Sequence, residues 1–236
     1  KLLYGPENYE NYKSMVRNGF YHQIMRNMLQ LNNGDGTFSE IGQLAGVSNT
    51  DWSWAPLVAD FNNDGQKDIY ITNGYLRDYT NMDFMKFYAD KELKAAQGSP
   101  TALMDIIKEM PSSLNSNYIF KNNGDLTFSN LTKDWGIEHP VNSHGAIYAD
   151  LDNDGDLDVY APDRRGANLL FRNSGGQFTQ VPPEFAAADT RPTVGACWLD
   201  VDRDGDLDLF LANQSGAADA VWRNDRTGFV DVAAAL

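Results

Sequence analysis

The chain of 236 residues has little cysteine, little basic charge and no long apolar run. Its single cysteine, Cys197, lies within the apolar stretch 194–199 and can form no internal disulfide, so we expect a small buried side chain there. With 19 basic and 33 acidic residues, the formal net charge is −14, which argues against nucleic acid or an anionic membrane surface as a partner. No stretch is apolar for long enough to span a bilayer, so we expect no membrane insertion.

Sequence motifs of common catalytic sites are missing as well. The chain has no Gly-x-Ser-x-Gly, no His-Glu-x-x-His, no phosphate-binding loop and no Cys-x-x-Cys. Its histidines, His22, His139 and His144, are scattered, and we interpret His144 as a loop or core-edge residue rather than a base. We therefore expect binding rather than catalysis.

Aspartate, in contrast, is concentrated in three nine-residue segments. Residues 60–68, 150–158 and 200–208 follow the pattern D-x-[DN]-x-D-G-x-x-D and hold thirteen of the 33 acidic residues. Like charges at this density repel one another and favour a solvated, disordered loop unless a cation neutralises them.

The aspartate segments belong to a repeated unit of about fifty residues. Asn-rich turns begin at 32, 122, 172 and 223, with nearly the same spacing as the aspartate segments, and each is followed within a few residues by Phe. Within a unit, short apolar runs and Asn-Gly or Gly-Gly turns predict four strands, which is typical of a β-propeller blade. We predict an all-β fold with about three and a half four-stranded blades over 27–236, part of a larger propeller whose remaining blades lie in the same parent chain.

The first interval between units carries an insertion at about 75–115. An apolar spacing near 3.6 over 80–97, and Ser99-Pro100 before a second apolar stretch, predict two helices, the second ending at Met110. This predicts a helical insertion between the second and third strands of a blade.

Residues 1–26 show no clear period, and we interpret them as an N-terminal connecting segment that precedes the blades. The chain begins at Lys1 and shows no signal peptide, so we expect it to be a segment of a longer protein.

Each aspartate segment has the composition of a cation site. The side chains at positions 1, 3 and 5, the carbonyl at position 7 and the carboxylate at position 9 can converge on one point. Glycine at position 6 permits the positive φ that folds the chain back. Six to seven oxygen ligands select calcium over magnesium, so we predict two to three calcium ions. The predicted ligands are Asp60, Asn62, Asp64, Gln66, Asp68, Asp150, Asp152, Asp154, Asp156, Asp158, Asp200, Asp202, Asp204, Asp206 and Asp208.

Two other structures could account for these segments. An EF-hand requires Glu at position 12, where this chain has Ile71, Ala161 and Leu211, so that reading fails. Solvated acidic turns without metal are the other alternative, and three copies in register argue against it. The first segment departs most from the pattern because Asn62 replaces a carboxylate and Lys67 lies nearby.

The opposite face of a propeller is the candidate ligand surface. Loops after the first and third strands of a blade share one face, so the insertion and the connectors 42–53, 132–143 and 182–193 lie on the other. Aromatic and polar residues there suit stacking on carbohydrate or contact with protein, whereas the alternative is that they cap the core between blades. The candidates are Trp52, Trp54, Tyr75, Arg77, Tyr79, Trp135, His139 and Arg191.

The unit that runs from Gly145 to Tyr160, with Asn168-Leu-Leu-Phe-Arg-Asn173 downstream, resembles the FG-GAP/VCBS repeats. These form calcium-binding propeller blades in integrin α-subunits and in many large bacterial surface proteins. Residues 29–46 are similar to the bacterial branch related to cartilage acidic protein. The resemblance implies calcium, export and a binding or adhesive role, and it implies no reaction.

We therefore expect a calcium-stabilised propeller module of an exported bacterial protein that binds protein or glycan. Calcium sites of about 0.1–1 mM affinity suit the cell exterior and would be empty in cytosol, so we expect an extracellular or cell-surface location, associated with the outer membrane. The alternatives are a propeller domain of an exported polysaccharide-active enzyme and a structural spacer. An acid/base pair in a deep pocket away from the loops would favour the enzyme, and burial of the aromatic candidates would favour the spacer.

Overall fold

Antiparallel strands dominate the computed structural model, which describes residues 6–20, 26–78, 100–112, 115–182, 189–225 and 228–235 and positions 81, 83, 84 and 86. Helix α1 (Pro6–Arg17), helix α2 (Pro100–Glu109) and a short 3-10 turn (Ala233–Ala235) accompany the strands. Within the described ranges, no helix is long and apolar enough to cross a membrane.

Three four-stranded antiparallel sheets follow one another along the chain, each with its strands in sequence order. The first sheet contains β3 (Ser53–Ala59), β4 (Asp68–Asn73), β6 (Tyr118–Asn122) and β7 (Phe128–Asn130). The second contains β9 (Ile147–Ala149), β10 (Asp158–Ala161), β11 (Leu169–Ser174) and β12 (Gln177–Gln180). The third contains β13 (Thr193–Leu199), β14 (Asp208–Asn213), β15 (Ala220–Asn224) and β16 (Phe229–Asp231). Two smaller pairs join β1 (Gln30–Asn32) to β2 (Phe38–Glu40), and β5 (Asn115–Ser116) to β8 (Pro140–Val141).

Each aspartate segment connects the first strand of a sheet to the second. The residue before the segment pairs in register with its last aspartate, as Ala59 with Asp68, Ala149 with Asp158, and Leu199 with Asp208. The side chain at position 9 therefore lies at the base of the loop, where the two strands begin to pair.

The hydrophobic cores lie between consecutive sheets. Val159 on β10 packs with Phe61 and other residues of the first sheet, whereas the next residue, Tyr160, packs with Leu209 of the third. Successive side chains of a strand point to opposite faces, so β10 is buried on both sides. A further core around Ile69 joins the first sheet to the turn that follows the β1–β2 hairpin. The sheets thus pack face to face in chain order.

The all-β prediction and the repeated four-stranded unit are confirmed, and the described residues form no closed ring. Helix α2 lies between β4 and β6, which are the second and third strands of the first sheet. The helix predicted over 80–97 falls outside the described residues, apart from positions 81, 83, 84 and 86. Helix α1 was not predicted, because residues 1–26 show no clear apolar period.

The expectation that Cys197 is buried is wrong. Its side chain is exposed and lies near the middle of β13. The neighbours Ala196 and Trp198 face the core between the second and third sheets. Alternation along the strand therefore turns Cys197 to the opposite face of the third sheet.

Candidate metal centres

The aspartate at position 1 holds each loop in shape through backbone amides. Asp60 accepts the N–H of residue 64 at 3.1 Å and that of residue 65 at 2.8 Å, and Asp150 accepts the corresponding amides at 3.2 and 3.0 Å. Asp200 likewise accepts the N–H of Gly205 at 3.2 Å. The same carboxylate is thus placed at the same point of every loop.

The glycines at position 6 adopt the positive φ that the sequence predicted. Gly65, Gly155 and Gly205 have φ values of 85°, 90° and 91°, and no atom lies within 4 Å of the place of a Cβ. Position 4 is left-handed as well, which sequence reasoning missed.

The residues at position 4 are Asn63, Asn153 and Arg203, with φ of 55°, 60° and 66°. Asparagine is enriched in the left-handed region, so Asn at this position was the available signal in the first two loops.

The aspartate at position 9 ties three chain segments together in each sheet. One oxygen of Asp158 accepts the N–H of Leu151 at the start of the loop (3.2 Å), and the other accepts the N–H of Asn173 on the third strand (2.9 Å). Asp68 and Asp208 make the equivalent pairs of bonds. All three side chains are buried, at 0–1% exposure. Burial raises the pKa of the Asp68 and Asp158 carboxyls.

Carboxylates converge in the second and third loops. Oxygens of Asp150, Asp152 and Asp154 lie within 4.8 Å of one another, as do those of Asp200, Asp202 and Asp208. Two ligands of one calcium ion, each bound at 2.3–2.6 Å, can be no more than about 5 Å apart, so both groups fit that ion. Oxygen-only donors and Gly at the turn also match the hard cation.

The first loop is arranged differently. Asp64 forms an ion pair with Lys121 and accepts a bond from the Asn62 amide at 2.9 Å. These contacts lower the pKa of Asp64 to about 2, with the Lys121 bond the largest cause. Among the described residues, no three carboxylates of this loop converge as they do in the other two.

The carboxylate of Asp156, at position 7, serves the neighbouring segments. It accepts the Asn63 side-chain N–H at 2.6 Å and the Gly175 backbone N–H at 2.8 Å. Both oxygens of this carboxylate are thus engaged, and the ligand predicted at position 7 is the backbone carbonyl.

A basic side chain lies over every loop, and sequence reasoning missed it. Lys121 pairs with Asp64, Arg172 with Asp158 and Asp152, and Arg223 with Asp202. These three residues occupy equivalent positions on the third strand, one residue before Asn122, Asn173 and Asn224. The Lys-Asn or Arg-Asn dipeptide in each unit was the signal that could have identified them.

Two of the predicted ligand-surface residues belong to core packing. Trp135 is 6% exposed and packs between the first and second sheets, so its assignment to a ligand surface is corrected. The turn that carries it folds over the next sheet, and this contact is long-range. His139 is half-buried beside Phe171, with ring centroids 5.5 Å apart.

The two arginines of the predicted surface already have partners. Arg77 donates to two backbone carbonyls at the end of α2, at 2.6 and 3.1 Å. Arg191 is paired with the buried Asp189 at 2.5 Å and with Asp231 at 2.9 Å. Both side chains therefore help to hold loops in place.

The remaining aromatic candidates lie partly at the surface. Trp52 is half-buried and meets Tyr75 edge to face, with centroids 4.7 Å apart. Tyr79 falls outside the described residues. Trp54 is 46% exposed and stacks on His144 at 4.0 Å, so it is the most exposed of the aromatic candidates that the structure describes.

Three consecutive antiparallel sheets, each with an aspartate loop between its first two strands, define a repeat protein built of blade-like units. The chain belongs to the FG-GAP-like repeat family, whose family model matches residues 20–71, 104–161 and 150–211. Repeats of this family imply a propeller-like module. Each match ends on the second strand of a sheet, so the sequence unit begins in one sheet and finishes in the next. No curated protein matches the chain.

Proposed function

We propose that this chain is a calcium-stabilised, propeller-like binding module of an exported bacterial protein. The observation that carries the proposal is the convergence of three carboxylates in each of the second and third loops, with oxygens within 4.8 Å. Two to three calcium ions would be held by the aspartate segments, the first of which offers fewer carboxylates.

The proposed role of the ion is structural. A bound calcium ion offsets the charge of the clustered carboxylates. The side chains at positions 1 and 9 then hold the loop and the third strand through the backbone amides described above. In this arrangement the loop, the first two strands and the third strand become one unit. The proposed gain is a more stable sheet, and no reaction is assigned to it.

Export follows from the affinity expected of such loops. Extracellular calcium modules bind at about 0.1–1 mM, which matches the cell exterior and lies far above cytosolic levels. We place the ligand surface at the strand ends away from the aspartate loops, where Trp54 is exposed, and we assign it to glycan or protein recognition at the cell surface.

Calcium titration of metal-stripped protein by calorimetry, with melting followed in parallel, tests the proposal. We expect two or three sites near millimolar affinity. When the free calcium concentration is about ten to a hundred times the Kd of a site, that site should add about 1.4–2.7 kcal/mol to the free energy of unfolding.

The matched variants are Asp154→Asn and Asp134→Asn. Asparagine at 154 keeps the oxygen that accepts the Asp156 N–H (2.9 Å) and removes only the charge, so one site should be lost while the loop keeps its shape. Asp134 is exposed in a turn outside the loops, and its change should leave the titration as in the wild type. A wild-type protein that neither binds calcium nor melts at a higher temperature with it would contradict the proposal.

A further inference from the structure

A cluster contributed by all three sheets surrounds one arginine at the strand ends away from the aspartate loops. Trp54 comes from β3, His144 precedes β9, Arg164 follows β10 and Gln214 follows β14. Trp54 stacks on His144 with ring centroids 4.0 Å apart and an interplanar angle of 21°. The guanidinium of Arg164 donates to the Gln214 side-chain oxygen at 2.8 Å.

The guanidinium lies over the imidazole ring. Nη1 of Arg164 is 3.0 Å from Nε2 and 3.4 Å from Nδ1 of His144. In the ring plane a carbon atom would block an approach this close to both nitrogens, so the contact is with the ring face. Burial and the Arg164 charge lower the pKa of His144 to about 4, so the imidazole is neutral at pH 7 and adds no positive charge.

The arginine has no carboxylate partner. Within the described part of the chain, no acidic oxygen lies within 4.0 Å of Arg164, although the protein carries a net charge of −14. The adjacent Arg165 donates to Ser112 Oγ at 2.6 Å, and the carboxylate nearest to it along the chain, Asp163, accepts its backbone N–H. Arg26, Arg172, Arg191 and Arg223 pair with carboxylates, whereas the side chains of Arg164 and Arg165 donate to the neutral side chains of Gln214 and Ser112.

Buried polar atoms in the same cluster also lack partners. Asn142 is 0% exposed, and neither its Oδ1 nor its Nδ2 has a hydrogen-bond partner; Nε of Arg164 is in the same condition. The two residues are adjacent, because the Arg164 N–H donates to the Asn142 carbonyl at 3.1 Å. Buried polar groups ordinarily form hydrogen bonds, so these atoms make the surroundings of the guanidinium polar and favour a polar partner over an apolar one.

We propose that this cluster binds a polyuronate, a polysaccharide of acidic sugars, with the carboxylate of one sugar on Arg164 and a neighbouring sugar ring against Trp54. The inference rests on the proposed function, since it names the ligand class of the proposed surface. Guanidinium binds carboxylate in a planar, two-point geometry, and the exposed indole offers an apolar surface to the C–H groups of a pyranose.

A uronate fits this cluster better than an acidic peptide does. In a polyuronate the carboxylates are fixed to a stiff chain of rings, so a charged group and an apolar ring face are presented together without a flexible stem between them. An aspartate or glutamate side chain would have to be immobilised on a flexible stem, which costs affinity.

Calorimetric titration with trigalacturonate tests the proposal, at equal free calcium in cell and syringe. The fully methyl-esterified trisaccharide keeps the rings and removes the charge, and a triglutamate peptide carries charge without sugar. We expect binding of the acid, at least tenfold weaker binding of the ester, and no comparable binding of the peptide.

Variants locate the site. Arg164→Lys keeps the positive charge but removes the planar guanidinium that can bind a carboxylate at two points. Trp54→Leu removes the aromatic stacking surface. Each change should weaken trigalacturonate binding at least tenfold. Lys133→Gln, a change of one charge in an exposed turn elsewhere, should leave it unaltered. Melting in calcium should show that all three variants are folded.

The outcomes separate this inference from the proposed function. Equal binding of acid and ester, preferential binding of the peptide, or no binding of the acid up to about 10 mM would each overturn the uronate assignment. The calcium titration would then still decide the structural role on its own. Wild-type affinity in Arg164→Lys would likewise overturn the assignment of the site.

Discussion

In each sheet, the basic residue that precedes the asparagine on the third strand neutralises part of the negative charge of the aspartate loop when no metal is bound. Lys121, Arg172 and Arg223 hold this position in the three sheets and reach the loop carboxylates. In the β1–β2 hairpin the equivalent residue is Leu31, and residues 1–29 contain no aspartate at all. The basic side chain therefore occurs where an aspartate loop occurs, as expected of a counter-ion that a bound cation would replace.

The Arg172→Gln change should lower the stability of the calcium-free protein and raise the affinity of the second loop for calcium. Without calcium, the buried Asp158 loses its charged partner, and the free energy of unfolding should fall by about 1–2 kcal/mol, less than for a fully buried pair because Arg172 is partly exposed. With saturating calcium the loss should be smaller, and the second loop should bind calcium several-fold more tightly.

Urea unfolding in chelator and in calcium measures both effects, with Lys133→Gln as the charge-matched control. Weaker calcium binding in Arg172→Gln would show that the guanidinium supports the cation site instead of competing with it.

At the scale of elements, a turn that follows an outer strand joins the β1–β2 hairpin to the first sheet, and an equivalent turn joins the first sheet to the second. The carbonyl of Ala45 accepts the N–H of Phe128 at 2.9 Å, and the carbonyl of Trp135 accepts that of Phe178 at 2.8 Å. The following residue, Gly136, has φ of 82°, and a Cβ atom there would lie closer than 3.0 Å to the Phe178 carbonyl oxygen. This contact needs glycine for space as well as for conformation.

Gly136→Ala should destabilise the protein far more than Gly124→Ala. Both glycines have similar positive φ (82° and 78°), so both substitutions carry the left-handed penalty of about 1–2 kcal/mol. Gly124 has nothing within 4 Å of a Cβ, whereas Gly136 abuts the next sheet, so Gly136→Ala should cost about 1–3 kcal/mol more. Thermal melts in calcium compare the two variants. Equal losses of stability would mean that the backbone at Gly136 shifts freely and that the turn does not hold the two sheets together.

The local features of the fold were predictable from sequence, and the long-range ones were not. Strand positions follow from apolar runs between Asn-Gly turns, and the positive φ of Gly155 follows from its place in the loop. The burial of Trp135 depends on a turn that docks on the next sheet, and the exposure of Cys197 depends on which face of β13 is covered. The cluster around Arg164 joins residues from three units, so no single repeat reveals it.

On the scale of the whole molecule, the first two aspartate loops are joined to one another. The Asn63 side chain donates to the Gly155 carbonyl at 3.2 Å and to Asp156 Oδ1 at 2.6 Å. Deeper between the same sheets, the Asn173 side chain donates to the Phe61 carbonyl at 2.7 Å. Calcium in the second loop would therefore order the first.

Asn63→Gly should break this coupling and leave the first loop folded. Glycine accepts the φ of 55° that Asn63 adopts, so only the link to the second loop is removed. We expect weaker calcium binding at the first loop and little change at the second.

Asn153→Gly is the matched control, because the described part of the chain gives its side chain no bond to the third loop. Site-resolved amide shifts during a calcium titration would follow both loops, and identical titrations of Asn63→Gly and wild type would exclude the coupling.

The exposed thiol of Cys197 allows a chemical test of what covers the third sheet. Because the chain has one cysteine, a maleimide dye or spin label reacts at one known place on the face of β13 away from the core. Any additional blade, supplied by a longer chain or by a neighbouring molecule, would pack on that same face and shield the sulfur. The labelling rate of a purified protein is thus a direct chemical measure of whether its third sheet is the end of a stack or an interior layer.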